Sequence, residues 1–164
     1  MTNQPLFVLL SLLSGSLIGA LNPPAKGNCP EGFHNIADHC IQFLTDSGTW
    51  YEMKDRCFNV GARMVKVDSD NFMYHLVRFI ENNGLGGHMY WVGASDEGHE
   101  GTYRWTDGTE VKMGTPFWGD DGDQVQEPDG GSKQNCAFLN KNDHFFFGDS
   151  NCESDYSAIC EKDY

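Results

Sequence analysis

Six cysteines and a surplus of carboxylates carry the reactive chemistry of this 164-residue chain. The cysteines stand at positions 29, 40, 57, 136, 152 and 160. No Cys-x-x-Cys pair occurs, which disfavours a tetrahedral zinc site. An even count behind an apolar leader implies three disulfides, although spacing alone does not choose among the pairings. The six histidines, His34, His39, His75, His88, His99 and His144, show no close metal-ligand spacing and read as surface or packing residues. Aspartate and glutamate number 24 against 11 lysines and arginines, a net charge of −13. That balance argues against nucleic acid or an anionic membrane surface as the main partner. It suits a solvated extracellular protein; solubility accounts for most of the charge, and local acidic clusters could hold cations. No Gly-x-Ser-x-Gly, His-Glu-x-x-His or phosphate-binding loop is present, so the reading is not that of an enzyme.

The elements that must position these residues follow from patterning. Residues 1–20 carry no charge, and Leu6-Phe7-Val8-Leu9-Leu10 through Leu17-Ile18 is apolar but interrupted by Ser and Gly. This reads as a signal peptide cleaved near Ala20, which makes the mature product secreted and not inserted in a membrane. All the net charge then belongs to the mature part. Residues 21–28 form a Pro-rich polar lead, and residues 29–164 suffice for one domain with one core. No Asn-x-Ser/Thr glycosylation acceptor occurs.

Cys29 to Cys40, with Gly32-Phe33 between them, reads as a small hairpin closed by its own disulfide. Thr49-Trp50-Tyr51-Glu52 is a capping box that starts a helix running to about Val60, with Gly61 as its stop. Trp50, Met53, Cys57 and Val60 recur at spacings of three and four, so one face carries Cys57 into the core. A second helix is predicted from about Ser69 to Glu81, with Phe72, Leu76, Phe79 and Ile80 as its apolar stripe and Asn82-Asn83-Gly84 as its end. Strands are predicted at 89–94, 136–139, 145–147 and 156–160. Helices first and strands afterwards is an α+β plan. The long Gly-, Asp- and Pro-rich stretch before Gly131 needs something to hold it, and a calcium ion is the simplest candidate.

The combined pattern resembles the C-type lectin domain from Cys29 to Cys160. Trp91-Val92-Gly93-Ala94 is similar to the family's Trp-Ile-Gly-Leu core strand. Glu100-Gly101-Thr102-Tyr103-Arg104-Trp105-Thr106-Asp107-Gly108 resembles the segment after it, and Glu127-Pro128-Asp129 resembles the sugar-specificity triplet. The resemblance implies a C-type lectin-like fold: two helices, small antiparallel sheets, a long calcium-binding loop and three disulfides. It implies the pairings Cys57–Cys160, Cys136–Cys152 and, as in the family's longer form, Cys29–Cys40. With the cysteines paired inside the domain, any homo-oligomer would be non-covalent.

It also implies a Ca2+ site built from Glu127, Asp129, Gln134 and Asp149, with Pro128 in cis. Calcium takes several oxygen ligands from flexible loops, carboxylates chief among them. The family commonly has Glu at position 134 and Trp-Asn-Asp at positions 147–149. Here Gln134 is an amide and Gly148 offers no side chain. The Asp in the triplet, where the family often has Asn, offsets the Gln, so the carboxylate count is unchanged. An auxiliary ion would match Asp96, Glu100 and Asn135. Asp120, Asp121 and Asp123, in an extended stretch before Glu127, read as a solvated acidic insertion.

In such domains two vicinal sugar hydroxyls coordinate the ion, so Glu127, Asp129, Gln134 and Asp149 would contact the glycan as well. Glu127-Pro128-Asp129 matches neither Glu-Pro-Asn nor Gln-Pro-Asp, and keeping Glu127 favours mannose-type ligands. The implied function is calcium-dependent binding of glycans on microbial or host surfaces, similar to secreted single-domain lectins of invertebrate innate immunity. The competing reading is a protein- or mineral-interaction module on the same fold that has lost sugar binding.

Overall fold

The computed structural model describes residues 29–112, 117–120 and 125–164; the leader, the polar lead, Asp121 and Asp123 lie outside them. The chain order is β1 (His34–Ile36), β2 (His39–Gly48), α1 (Trp50–Asn59), β3 (Arg63–Met64), α2 (Asp70–Asn82), β4 (Tyr90–Ser95), β5 (Arg104–Trp105), β6 (Cys136–Asn140), β7 (Phe146–Ser150) and β8 (Tyr156–Lys162).

Local chemistry accounts for both helices. Thr49 Oγ1 accepts the Glu52 N–H at 3.2 Å, and Glu52 Oε2 accepts the Thr49 N–H at 3.0 Å, which completes the capping box of α1. Trp50, Met53 and Cys57 are buried as the periodicity predicts. Val60 is not: it caps the helix at φ −92° and is 41% exposed, because the chain leaves the helical path before its turn comes round. Ser69 caps α2 by accepting the Phe72 N–H at 3.3 Å. Met73 joins Phe72, Leu76 and Ile80 inside, whereas Phe79 lies half-buried and stacks on Phe43.

The strands join in one sheet of order β1-β2-β8-β4-β6-β7, with β3 added to β8 and β5 to β4. The small antiparallel groups the sequence suggests are therefore continuous, linked through the one parallel pair, β4 with β8. The strand expected at 145–147 begins one residue later. Phe145 adopts φ +63° in the turn before β7 and is buried there.

The core divides into two clusters. One packs α2 against Tyr90, Val92, Leu139 and Ile159; the other packs α1 against Trp91, Phe138 and the cystines Cys57–Cys160 and Cys136–Cys152. Both buried indoles of the second cluster have acceptors. Trp91 Nε1 donates to Gly48 O and Trp50 Nε1 to Val92 O, each at 3.0 Å. Gly93 is required by close approach, since a Cβ there would stand 3.0 Å from Met64 O. All three implied disulfides are present: Cys29–Cys40, Cys57–Cys160 and Cys136–Cys152.

The long loop is held in part by aromatic packing that the sequence reading did not anticipate. Phe117 and Trp118 pack on Phe147, and Tyr103 packs on Trp118. Trp118 also bridges to Phe147 through the backbone, with Gly119 N donating to Phe147 O at 2.9 Å. These contacts bring the loop's return path along the edge of β7.

Candidate functional site

β7 supplies the centre of the site. Its pairing with β6 sets Asp149 opposite Ala137, and Asp149 is buried at 5% exposure. Its carboxylate draws three donors from the loop. Oδ1 accepts the Asp129 N–H at 3.1 Å, and Oδ2 accepts the Gly130 N–H at 3.2 Å and the Tyr103 hydroxyl at 3.3 Å. Glu127, 8% exposed, is placed by its own N–H donating to Gly119 O at 2.9 Å, and its Oε2 accepts the Asp149 N–H at 3.3 Å. The Glu127–Pro128 peptide is cis. Asp129 completes the group from an exposed position. One carboxylate oxygen from each of Glu127, Asp129 and Asp149 lies within 4.8 Å of the others.

Such convergence is electrostatically costly without a cation. Burial, the Asp149 side chain and the charge on Asp129 push the Glu127 carboxyl up to about 8. Gln134 lies next to the residues that form the trio. Its side chain lies against Gly130, filling the space a Cβ there would need, and its backbone carbonyl accepts the Tyr103 hydroxyl at 2.9 Å. Gly148 lies beside Glu127, but a Cβ there would meet the Phe138 ring at 3.0 Å. The ring therefore takes the room that a side-chain ligand at 148 would need.

A second group of oxygens lies across Tyr103. Asp96 is 3% exposed; its N–H donates to Asn135 O at 3.1 Å, and its Oδ2 accepts the Gly101 N–H at 2.8 Å. Asp96 Oδ1 and Asn135 Oδ1 are both buried without a hydrogen-bond partner. Burial first, and then the charge of Asp149, raises the Asp96 carboxyl even though the Gly101 bond pulls the other way. Glu100 Oε1 reaches toward Gly131, 3.7 Å from where a Cβ would stand. Orphaned oxygens of this kind fit a hard cation, which supplies what a hydrogen-bond donor does not. Burial and the charges of Asp149, Asp96 and Glu100 all raise the Tyr103 phenol, so it stays a neutral donor between the two groups.

The profile of the Lectin C-type domain matches residues 46–162. The chain belongs to the C-type lectin domain family. That domain is a non-enzymatic carbohydrate-binding or interaction module. Human C-type lectin domain family 4 member D is 28% identical over 134 residues, covering 81% of this chain and 58% of that protein. The chain thus spans little more than half of that relative. Among solved structures, the C-type lectin domain of murine dendritic cell inhibitory receptor 2 in complex with N-glycan aligns with a TM-score of 0.66 at 22% identity, covering 84% of this chain and 100% of that one. A Ca2+-dependent type II antifreeze protein in its Ca2+-free form aligns at 0.67 and 23%, covering 82% and 100%. At these identities the structural likenesses establish the fold.

Within this C-type lectin domain the sequence reading found the acids but missed what orders them. Tyr103 was legible as part of a motif, yet nothing in its type announced a hydroxyl shared between Gln134 and Asp149. The backbone carbonyl of Gly119 and the ring of Phe138 left no signal at all. Among the described residues no helix is long and apolar enough to cross a membrane.

Proposed function

We propose that this domain binds calcium through Glu127, Asp129 and Asp149 and presents the ion to vicinal hydroxyls of a glycan. The observation that carries the reading is the convergence of three carboxylates, two of them buried, with Glu127 pushed well above its ordinary range. A divalent cation relieves that repulsion, and the exposed side at Asp129 leaves coordination positions for water or sugar oxygens. Gln134 flanks the ion site as an amide donor to a bound sugar. Asp96, Asn135 and Glu100 form an auxiliary ion site, supported by the two orphaned oxygens. Retention of Glu127 favours mannose-type hydroxyls. With residues 1–20 removed, the product is a secreted lectin for glycans on microbial or host surfaces, in keeping with a role in innate immunity.

The test is retention on immobilised mannose in calcium and elution by chelator, alongside calorimetric calcium titration. Calcium binding without retention on mannose or any other sugar would favour an interaction module instead. The blocked ligand position at Gly148, and the antifreeze protein of the same fold, are what support that second reading.

A further inference from the structure

Asn83 is the one asparagine of the chain that is followed by glycine. It is exposed and caps α2 at φ −117° and ψ 17°. Gly84 then takes φ +72°, and Leu85 N donates to Ile80 O at 3.2 Å, the bond that closes a glycine-ended helix. Leu85 is fixed, packed on the core with its carbonyl accepting the Tyr90 hydroxyl at 2.8 Å. Around it the backbone has room: a Cβ at Gly84, Gly86 or Gly87 would meet nothing within 4 Å.

The Asn83 side chain does a capping job there. Nδ2 donates to Phe79 O at 2.8 Å, at a helix end whose last turn holds no basic residue. Phe79 in turn packs on His34 of β1, ring centroids 4.9 Å apart, and on Phe43 of β2 at 5.6 Å. The last turn of α2 therefore supports the β1–β2 hairpin.

We propose that Asn83 is a self-modification site, at which the Gly84 backbone nitrogen attacks Asn83 Cγ. Glycine leaves that nitrogen unshielded, having no Cβ. The new N–Cγ bond closes a succinimide, the Cγ–Nδ2 bond breaks, and the Gly84 proton leaves with the amine as ammonia. Water then opens the ring at either carbonyl and leaves aspartate or isoaspartate at position 83. The balance is one water consumed and one ammonia released, with nothing oxidised or reduced. Base that removes the Gly84 proton speeds the closure. Cγ becomes accessible only when Nδ2 lets go of Phe79 O, so the reaction draws on local opening of the last turn. Either product replaces a donor with a carboxylate, at the negative end of the helix dipole and two residues from Glu81. Isoaspartate also lengthens the backbone by a methylene. Both loosen the turn and the Phe79 contacts that depend on it. The site is independent of any ion at Glu127.

The test ages the disulfide-bonded protein at neutral and at alkaline pH. Peptide mapping by mass spectrometry locates conversion of amide to acid, and an isoaspartyl methyltransferase labels the isoaspartate. Asn83 should convert before every other asparagine, faster at alkaline pH, and Gly84→Ala or Asn83→Gln should lose the label. In aged protein and in Asn83→Asp, hydrogen exchange at the last turn of α2 should quicken about two- to five-fold, the scale of one adverse charge at a helix end. Another asparagine converting first overturns the site. So does Asn83 keeping its amide in the folded protein while the reduced, denatured chain converts there. Conversion with unchanged exchange in α2 and the β1–β2 hairpin overturns the structural consequence.

Discussion

The two halves of the molecule are stabilised in opposite ways. The frame of α1, α2, β2, β4 and β8 is apolar and densely paired, and Cys57–Cys160 closes it across 103 residues of sequence. The loop face around Glu127 and Asp149 has few ladder bonds and brings like charges together. Apolar burial in the frame is favourable under any ionic condition. The loop face stores repulsion that, on the proposed reading, a cation would convert into attraction. The frame is therefore expected to fold alike with and without calcium, and the loop face to respond to it.

The hardest break of that contrast is removal of the frame's long crosslink. Cys57→Ser with Cys160→Ser should cost roughly 5 kcal/mol by loop-closure arguments, read as a lower midpoint in denaturant. Calcium should recover little of it. Asp149→Ala comes next in size. It should lower calcium affinity by at least about a hundredfold, the upper end of what loss of a supporting group costs a metal site, while circular dichroism and disulfide mapping stay unchanged. Unaltered calcium affinity would place the ion elsewhere and erase the distinction drawn here.

A gentler probe is pH. Glu127 sits near 8 in the fold, above its ordinary value of 4.5. A raised carboxyl binds its proton more tightly folded than unfolded. The ion-free fold should therefore lose stability as pH climbs from about 4.5 toward 8, with no such loss below that window. Calcium should cancel the loss and expel close to one proton per ion near neutrality, measurable by calorimetry in buffers of different ionisation heat. Ion binding without proton release would mean that Glu127 is not a ligand.

Smaller effects sharpen the boundary between the halves at Phe138, whose ring belongs to the frame yet limits the site. Gly148→Asn alone should destabilise by about 1–3 kcal/mol through overpacking and should not tighten calcium. Combined with Phe138→Leu it should bind calcium more tightly than the single variant. The least effect is expected on sugar ranking. Asp129→Asn with Gln134→Glu preserves the carboxylate count and supplies an amide in the triplet, which should raise mannose selectivity on a glycan array at saturating calcium.

Much of this was legible in the chain itself. Helix starts are local, so Thr49 and Ser69 announced both helices within a few residues. The α+β order, the cysteine pairs through family resemblance, and the acids of the site could all be named before any coordinates. Other features depend on where separate segments meet. Val60 turned outward because the helix ended first, and Phe145 entered a left-handed turn that its apolar character did not foretell. The single sheet exists because β8, last in the chain, comes to lie between β2 and β4, a non-local pairing that periodicity does not encode. In the site the sequence determined which carboxylates were available. Tertiary structure alone decided that Tyr103 should bridge Gln134 and Asp149, and that Phe138 should close position 148. Charge and ring type belong to a residue, whereas distance and solvent access belong to the packing of many.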